Sequence, residues 1–278
     1  MKYGLDVATG REYFNPRTLV DLAVEAEEAG WDGLFIWDCY YTSGSEEVST
    51  VNPWVALSAI AMKTKRIKIG AMVTPLARRR PWQVARETVS LDHLSNGRLI
   101  FGAGLGFSPR EFTDFGEESN LRIRGQKLDE ALEVLTGLWS GERFSFQGKH
   151  YRVTDARFLP KPTQSPRIPV WTAGFWPNKK PFRRAAKWDG IYPGRADQQP
   201  FTPEDLNEVL NFVKERRKES DPFDAMIYGK TPSDPVKGAE IVEPFIEAGA
   251  TWWAEGLDYE RGTLEEKRER IRNGPPEP

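Results

Sequence analysis

The chain has 278 residues, enough for one full hydrophobic core, and its 39 Lys and Arg against 41 Asp and Glu give a net charge of −2. This balance gives no reason to expect a nucleic-acid or membrane partner. A single cysteine excludes an internal disulfide framework, and with two histidines no metal site is expected. The sequence shows no signal peptide and no apolar run of about 18 residues, so we expect a cytoplasmic protein.

Eight short apolar runs are each followed by a stretch with helical spacing. The predicted strands are 3–7, 33–37, 67–73, 99–103, 169–173, 190–192, 224–228 and 251–255. The predicted helices are 16–29, 53–64, 81–95, 121–139, 178–187, 203–219, 235–248 and 263–272. Strands that alternate with helices eight times predict an α/β fold, a closed (β/α)8 TIM barrel formed by residues 1–278 as one domain.

One segment interrupts this alternation between the fourth helix and the fifth strand. Residues 141–168 contain two short β-prone runs, 144–146 and 150–153, that predict a hairpin. A Pro-rich connector follows the hairpin. We therefore predict an insertion in the barrel, not a second domain, and a frayed tail over 274–278.

Residues 67–106 are the most informative stretch, because they contain a complete strand–helix–strand unit. The helix is predicted to begin at Pro81, and the second strand runs into Gly104-Leu105-Gly106. A dinucleotide-binding reading of these glycines needs a helix directly after them, but Pro109 and polar residues follow. The glycines either allow close approach of a flat ring or phosphate, or have a purely conformational role.

The end of the fifth strand predicts an anion site. Ala173 and Gly174 precede a helix start that carries Asn178, Lys179 and Lys180. Free backbone N–H groups and nearby lysines suit a phosphate, although a solvated basic helix start is the alternative. The three arginines at 78–80 either attract an anionic substrate or form a solvated charged face.

Three stretches in this order are similar to the bacterial-luciferase-like family of flavin- or deazaflavin-dependent oxidoreductases. They are AEEAGWDGLFIWD at 26–38, GAMVTPLARRRPWQVARETVSLDHLSNGRLIFGAGLG at 70–106, and FGEESNLRIRGQKLDEALEVLTGLWSGERFSFQGKHY at 115–151. A fourth, PRIPVWTAGFWPNKKPFRRAAKWDG at 166–190, adds to the resemblance. The resemblance covers roughly residues 1–192 well.

The resemblance implies a monooxygenase that uses reduced FMN, supplied by a flavin reductase, and dioxygen to oxidise a small organic substrate. The first alternative is hydride transfer with the deazaflavin coenzyme F-420, and the second is a non-catalytic flavin-binding barrel. A third, an unrelated barrel hydrolase, would need carboxylates at strand ends, for which Asp6, Asp38 and Glu255 are candidates. Family members often form homodimers.

The resemblance also implies roles for residues in the strand-end loops. The predicted cofactor-binding residues are Ala71, Met72, Thr74, Gly104, Gly106, Ala173, Gly174, Phe175 and Trp176. The predicted substrate pocket comprises Tyr40, Tyr41, Phe107 and Tyr192. By the same resemblance, the Ala71–Met72 peptide bond is expected to be cis.

The two catalytic candidates are Asp38 and Cys39, which follow the second strand. Cys39 stands where many relatives have a histidine, so the acid/base group that those relatives use is absent at this position. Phe107 stands where some deazaflavin enzymes carry a catalytic acid. Cys39 is either a catalytic thiol or a small apolar packing residue.

Overall fold

The computed structural model describes residues 1–41, 49–218 and 221–276. Its strands are β1 (Lys2–Val7), β2 (Gly33–Ile36), β3 (Lys68–Ala71), β4 (Thr74–Pro75), β5 (Phe101–Gly104), β6 (Phe144–Gln147), β7 (Arg152–Ala156), β8 (Val170–Trp176), β9 (Gly190–Arg195), β10 (Asp224–Gly229) and β11 (Trp252–Leu257). Its α-helices are α1 (Pro16–Glu28), α2 (Pro53–Lys63), α3 (Pro81–Leu94), α4 (Arg110–Thr113), α5 (Leu121–Trp139), α6 (Lys179–Ala185), α7 (Pro203–Lys214), α8 (Pro235–Glu247) and α9 (Leu264–Arg272).

The predicted TIM barrel is confirmed. Parallel strands pair in the order β3-β2-β1-β11-β10-β9-β8-β5-β4. A parallel bridge between Ile69 and Leu99 joins β3 to the chain that leads into β5 and closes the ring. The carboxyl ends of all these strands therefore meet at one face, which we call the mouth.

The third barrel strand departs from the prediction because it is interrupted. The run predicted over 67–73 forms β3, ends at Ala71, and resumes as β4 at Thr74. The Met72 N–H still donates to Ile36 O of β2 (2.8 Å), so regular pairing continues one residue beyond β3. The cis non-proline peptide bond of this segment joins Met72 and Val73. The expectation that it would join Ala71 and Met72 was wrong by one residue.

Helix starts follow local sequence signals, whereas several ends differ from the prediction. Asn15 caps α1 through its side chain ahead of Pro16, and Thr202 and Thr263 begin α7 and α9 with capping boxes. The fifth and sixth predicted helices, 178–187 and 203–219, are shorter as α6 and α7, and residue 219 lies outside the described residues. The short helix α4 was not predicted, since it has only four residues.

The predicted insertion is present as the antiparallel pair β6 and β7. The Glu130 carboxylate of α5 accepts hydrogen bonds from the backbone N–H groups of Lys149, His150 and Tyr151 at 2.8–3.0 Å. This contact fixes the hairpin turn against the barrel wall. At the tail, Arg270 donates to Gly274 O (2.6 Å) and Pro276 is buried, while residues 277–278 lie outside the described part.

Alternate residues of the barrel strands divide into two hydrophobic clusters. The larger lies between strands and helices, and the smaller fills the barrel interior. Phe35, Trp171 and Trp252 form what we call the aromatic layer of this interior, with ring centroids 5.4–5.8 Å apart. A Cβ added at Gly4 or Gly33 would come within 2.8 Å of the Phe35 ring, so glycines make room for these rings. Among the described residues, no helix is both long and apolar enough to cross a membrane.

Candidate active site

Asp6 lies inside the barrel near the carboxyl end of β1. It pairs in register with Phe35 of β2 and Gly256 of β11, while its neighbours Leu5 and Val7 face the helices. Its carboxylate is fully buried and accepts hydrogen bonds from Trp37 Nε1 and from the Tyr192 hydroxyl, the latter at 3.0 Å. Burial raises the pKa of Asp6 to about 7, against the opposing effect of the two hydrogen bonds.

A second carboxylate–tyrosine pair lies beside the first. The Tyr228 hydroxyl donates to Asp258 Oδ2 (2.5 Å), and Lys230 Nζ lies 2.7 Å from the same oxygen. Burial raises the Tyr228 pKa, and burial together with the Asp6 charge raises that of Tyr192, so both phenols stay protonated at neutral pH. We call Asp6, Tyr192, Tyr228 and Asp258 the polar layer; Tyr192 and Tyr228 lie two residues nearer the mouth than the strand positions that pair with Trp171 and Trp252.

The opposite side of the mouth is built from small residues. Added Cβ atoms at Gly102 and Gly104 would lie 2.2 Å from Ala71 O and from Val73 Cγ2 respectively. Gly106 has φ +80°, and an added Cβ there would crowd Phe112 and Pro75. These glycines therefore allow close packing of the interrupted third strand, and their contact with a cofactor stays a prediction.

The fifth-strand end separates the predicted cofactor residues into two sets. Ala173 and Phe175 are accessible at the mouth, whereas Gly174 and Trp176 are buried against helices. A Cβ at Gly174 would lie 2.3 Å from Pro181 Cβ of α6. Trp176 donates to Glu208 Oε2 (2.9 Å), and Lys179 Nζ lies 3.3 Å from the Trp176 ring centroid. The absence of a side chain at Gly174 lets α6 pack closely, and Trp176 packs against Phe182 of that helix, so only the backbone at these two positions remains available to a ligand.

Asp38 belongs to a buried set of charges that we call the ion cluster, which comprises Asp38, Arg78, Arg79 and Glu111. The Asp38 carboxylate lies 2.8 Å from Arg78 Nη2 and 2.7 Å from Arg79 Nη2. Glu111 Oε2 lies 3.1 Å from Arg78 Nη1, and its other oxygen accepts from the Tyr40 N–H (2.5 Å). Two of the three arginines at 78–80 are thus held by carboxylates. Asp38 is accordingly placed to fix the loops after β2 and β4.

Cys39 is half-buried beside Thr9, with its sulfur 3.4 Å from the hydroxyl. Burial raises the pKa of the thiol, which disfavours the thiolate that a nucleophile requires. The histidines lie elsewhere: His93 contacts Lys161 O (2.8 Å) and His150 contacts Gln126 Oε1 (3.1 Å). Within the described ranges, neither ring contacts the polar layer.

Aromatic side chains line the rim of the mouth. Tyr40 and Tyr41 pack against Phe115 with centroid distances of 5.3 and 6.4 Å, and Phe107 contacts Phe175 at 6.4 Å. Phe107, Phe115 and Phe175 are each about half-exposed or more. The structure therefore brings the predicted pocket residues to one face, with Tyr192 deeper than the others.

Two buried polar groups near the mouth lack a protein partner among the described residues. The Thr74 hydroxyl makes no hydrogen bond, and Arg124 Nε and Nη1 make none either. Arg124 lies over the Phe112 ring at 4.3 Å, and its burial lowers its pKa while nearby Glu111 opposes this effect. An unsatisfied buried guanidinium suits an anionic group of a ligand.

The sequence analysis named Asp6 and Tyr192 separately, but it found neither their contact nor Glu111. One signal was present: Asp6 is a carboxylate inside the otherwise apolar run of β1. The hydrolase alternative used Asp6, Asp38 and Glu255, but Glu255 faces outward to Thr231 and Arg261, so the three carboxylates share no partner. In the described part of the chain, no group of three possible metal ligands comes together.

Comparisons with known proteins agree with this architecture. A sequence profile of the family described as luciferase-like monooxygenase matches residues 2–235. An F420-dependent glucose-6-phosphate dehydrogenase of Amycolatopsis mediterranei is 34% identical over 170 residues, which are 60% of this chain and 50% of that protein. The chain thus spans about half the length of the curated relatives that it matches.

Solved structures at lower identity share the fold. The coenzyme F420 dependent tetrahydromethanopterin reductase from Methanopyrus kandleri superposes with a TM-score of 0.77 at 17% identity, over 98% of this chain and 97% of that one. A monooxygenase from Streptomyces bottropensis gives 0.76 at 17% identity, over 98% and 97%. Members of the matched family are oxidoreductases, which confirms the prediction of an enzyme. The profile match over most of the chain shows that this protein belongs to the luciferase-like monooxygenase family.

Proposed function

We propose that this oxidoreductase uses the deazaflavin coenzyme F420 to move a hydride to or from a small organic substrate. The observation that carries the proposal is the curated relative at 34% identity, which is named F420-dependent. The favoured reading of the sequence, monooxygenation with reduced FMN, draws its support from structures such as the Streptomyces monooxygenase at 17% identity, where likeness extends to the fold. The alternative of hydride transfer is therefore the better supported one.

The residues at the mouth fit such a coenzyme. A bound deazaflavin would supply the two-electron hydride chemistry that the side chains of this chain lack. The small residues around Gly104 and Ala173 leave one wall of the mouth without bulky side chains, which suits a flat ring. The buried Thr74 hydroxyl and the Arg124 guanidinium offer unsatisfied donors to coenzyme oxygens.

The rim would exclude water from a bound substrate. Phe107 and Phe175 contact each other at the edge, and Tyr40 with Phe115 forms a second aromatic pair. Aromatic surfaces of this kind favour substrates with an apolar part. We therefore include apolar secondary alcohols with sugar phosphates when substrates are tested.

The experiment is an anaerobic fluorescence titration of the purified protein with F420 and, separately, with FMN, each oxidised and reduced. We expect F420 to bind at least ~10-fold more tightly than FMN, about 1.4 kcal/mol of binding free energy. Tighter binding of reduced FMN, with oxygen consumption when substrate is added, would instead support the monooxygenase reading. Substrate oxidation is then followed as F420 reduction with glucose 6-phosphate, 2-propanol and 1-phenylethanol.

A matched pair of variants locates the coenzyme. Arg124→Met should weaken F420 binding at least ~10-fold, since a charge-assisted contact is lost. Arg122→Met is the control, because Arg122 is exposed on the same turn of α5. Equal affinities of the two variants would remove Arg124 from the binding site.

A further inference from the structure

The mouth holds an acid/base pair that stands apart from the positions at which relatives carry theirs. By the family resemblance, Cys39 stands where many relatives have a histidine and Phe107 where some carry an acid, so a reaction that moves a proton with the hydride needs another group. The structure places Asp6 and Tyr192 together inside the barrel, although 186 residues separate them in sequence. They lie on β1 and β9, which do not pair with each other and meet across the interior.

The order of the two groups follows from their exposure. Asp6 is fully buried, whereas Tyr192 is partly exposed. The Tyr192 hydroxyl donates its proton to Asp6 Oδ2 and keeps lone pairs that can accept another hydrogen bond. A proton can therefore pass between a substrate in the mouth and Asp6 through the Tyr192 hydroxyl.

The surroundings of Asp6 suit exchange of a proton near neutral pH. Trp37 faces Asp6 from just after β2, Tyr192 from β9 and Tyr228 from β10. The charge of Asp258, just after β11, adds to the effect of burial in raising the pKa of Asp6 to about 7. Both protonation states of the carboxyl are then populated at the pH at which an enzyme commonly works.

We propose that Tyr192 is the catalytic acid/base of the hydride-transfer reaction and that Asp6 is the positioning residue that receives its proton. The proposal rests on the proposed function. In alcohol oxidation a bound oxidised deazaflavin would accept the hydride of the carbinol C–H bond, while the O–H bond breaks and its proton passes to the Tyr192 oxygen. The original Tyr192 proton moves to Asp6, and the substrate gains a C=O bond. Reduction runs the same steps in reverse.

The first test uses the protein without coenzyme. Infrared difference spectra between wild type and Asp6→Asn report the protonated carboxyl of Asp6 as a function of pH. We expect the Asp6 carboxyl to titrate with a midpoint near pH 7 in the wild type. The midpoint should be higher in Tyr192→Phe, because the hydrogen bond that this variant lacks stabilises the carboxylate form of Asp6. A midpoint near pH 4, or one that Tyr192→Phe leaves unchanged, would overturn the proposal.

The second test uses the protein with oxidised F420 and the fastest-reacting of the three substrates named above, glucose 6-phosphate, 2-propanol and 1-phenylethanol. Tyr192→Phe should keep the affinity for F420 and lower kcat by ~100-fold or more, the usual contribution of a general acid/base. Asp6→Asn should lower kcat and abolish its pH dependence near 7. Tyr151→Phe is the control, since Tyr151 lies against Trp82 on the hairpin side.

The outcomes separate the two hypotheses. Wild-type protein that fails to bind F420 contradicts the proposed function, and the proton-transfer proposal falls with it. Wild-type protein that binds and reduces F420, with Tyr192→Phe equally fast, contradicts the proton-transfer proposal alone. Loss of F420 binding in both Tyr192→Phe and Asp6→Asn assigns the pair to coenzyme binding and also overturns it.

Discussion

The aromatic layer and the polar layer occupy the same barrel interior and differ in what they do for the protein. In the aromatic layer, Phe35, Trp171 and Trp252 pack ring against ring, with glycines around them. In the polar layer, Asp6 is buried, and this burial disfavours its charged form. The aromatic layer therefore stabilises the fold, whereas the polar layer lowers its stability and supplies a group that can exchange protons.

The largest effect is expected from the aromatic layer. Trp252→Ala should lower the free energy of unfolding by about 3–5 kcal/mol, because it leaves a cavity beside two aromatic rings. Guanidinium unfolding monitored by circular dichroism measures the change. Trp82→Ala is the control, since Trp82 is 37% exposed. A loss no larger than that of the control would mean that the layer does not stabilise the barrel.

A substitution in the polar layer should raise the free energy of unfolding, whereas the substitution in the aromatic layer lowers it. The folded-state pKa of Asp6 is about 7, above the unfolded value near 4, so its contribution to stability is present below about pH 4 and is lost as the pH rises to 7. Asp6→Asn avoids this loss and should become more stable than wild type by up to about 4 kcal/mol above pH 7. Unfolding curves at pH 5 and pH 8 for both proteins give the difference. A gap that does not widen with pH would show that Asp6 ionises freely.

The ion cluster provides a third kind of buried charge, paired instead of isolated. Asp38→Asn should cost about 3 kcal/mol of unfolding free energy, because Arg78 and Arg79 lose the carboxylate that they share. Asp155→Asn, in the exposed pair with Arg143, should produce no measurable loss in the same urea titration. If both variants retain wild-type stability, Asp38 is free for a catalytic role.

The smallest effect is expected at Cys39. Cys39→Ser should change the unfolding free energy by about 1 kcal/mol or less and leave F420 affinity and turnover near wild type, because a serine hydroxyl can keep the hydrogen bond that the thiol makes with Thr9. Coenzyme titration and a turnover assay check both. Loss of turnover with retained binding would restore the thiol as a catalytic candidate.

Local sequence patterns were sufficient for the barrel but not for the contents of its mouth. The alternation of strands and helices, the caps at Asn15 and Thr202, and the hairpin insertion all depend on residues near one another in sequence. The cis peptide bond expected at Ala71–Met72 lies one residue further, and the interruption of the third strand was not predicted, because the pairing of Met72 with Ile36 depends on the neighbouring strand. Lys179 was read as an anion ligand, but its position over Trp176 depends on the packing of α6.

The sequence by itself determined the barrel, its insertion and the face at which a ligand is expected to bind, because periods of 2 and 3.6 residues are local properties of the chain. Only the tertiary structure decided that Asp6 meets Tyr192 and that Asp38 is held by Arg78 and Arg79. The physical reason is closure of the barrel, which sets the register of every strand and brings inward-facing residues of unpaired strands into contact. The chemistry of the mouth follows from that closure, since burial and the new partners together set the protonation of Asp6.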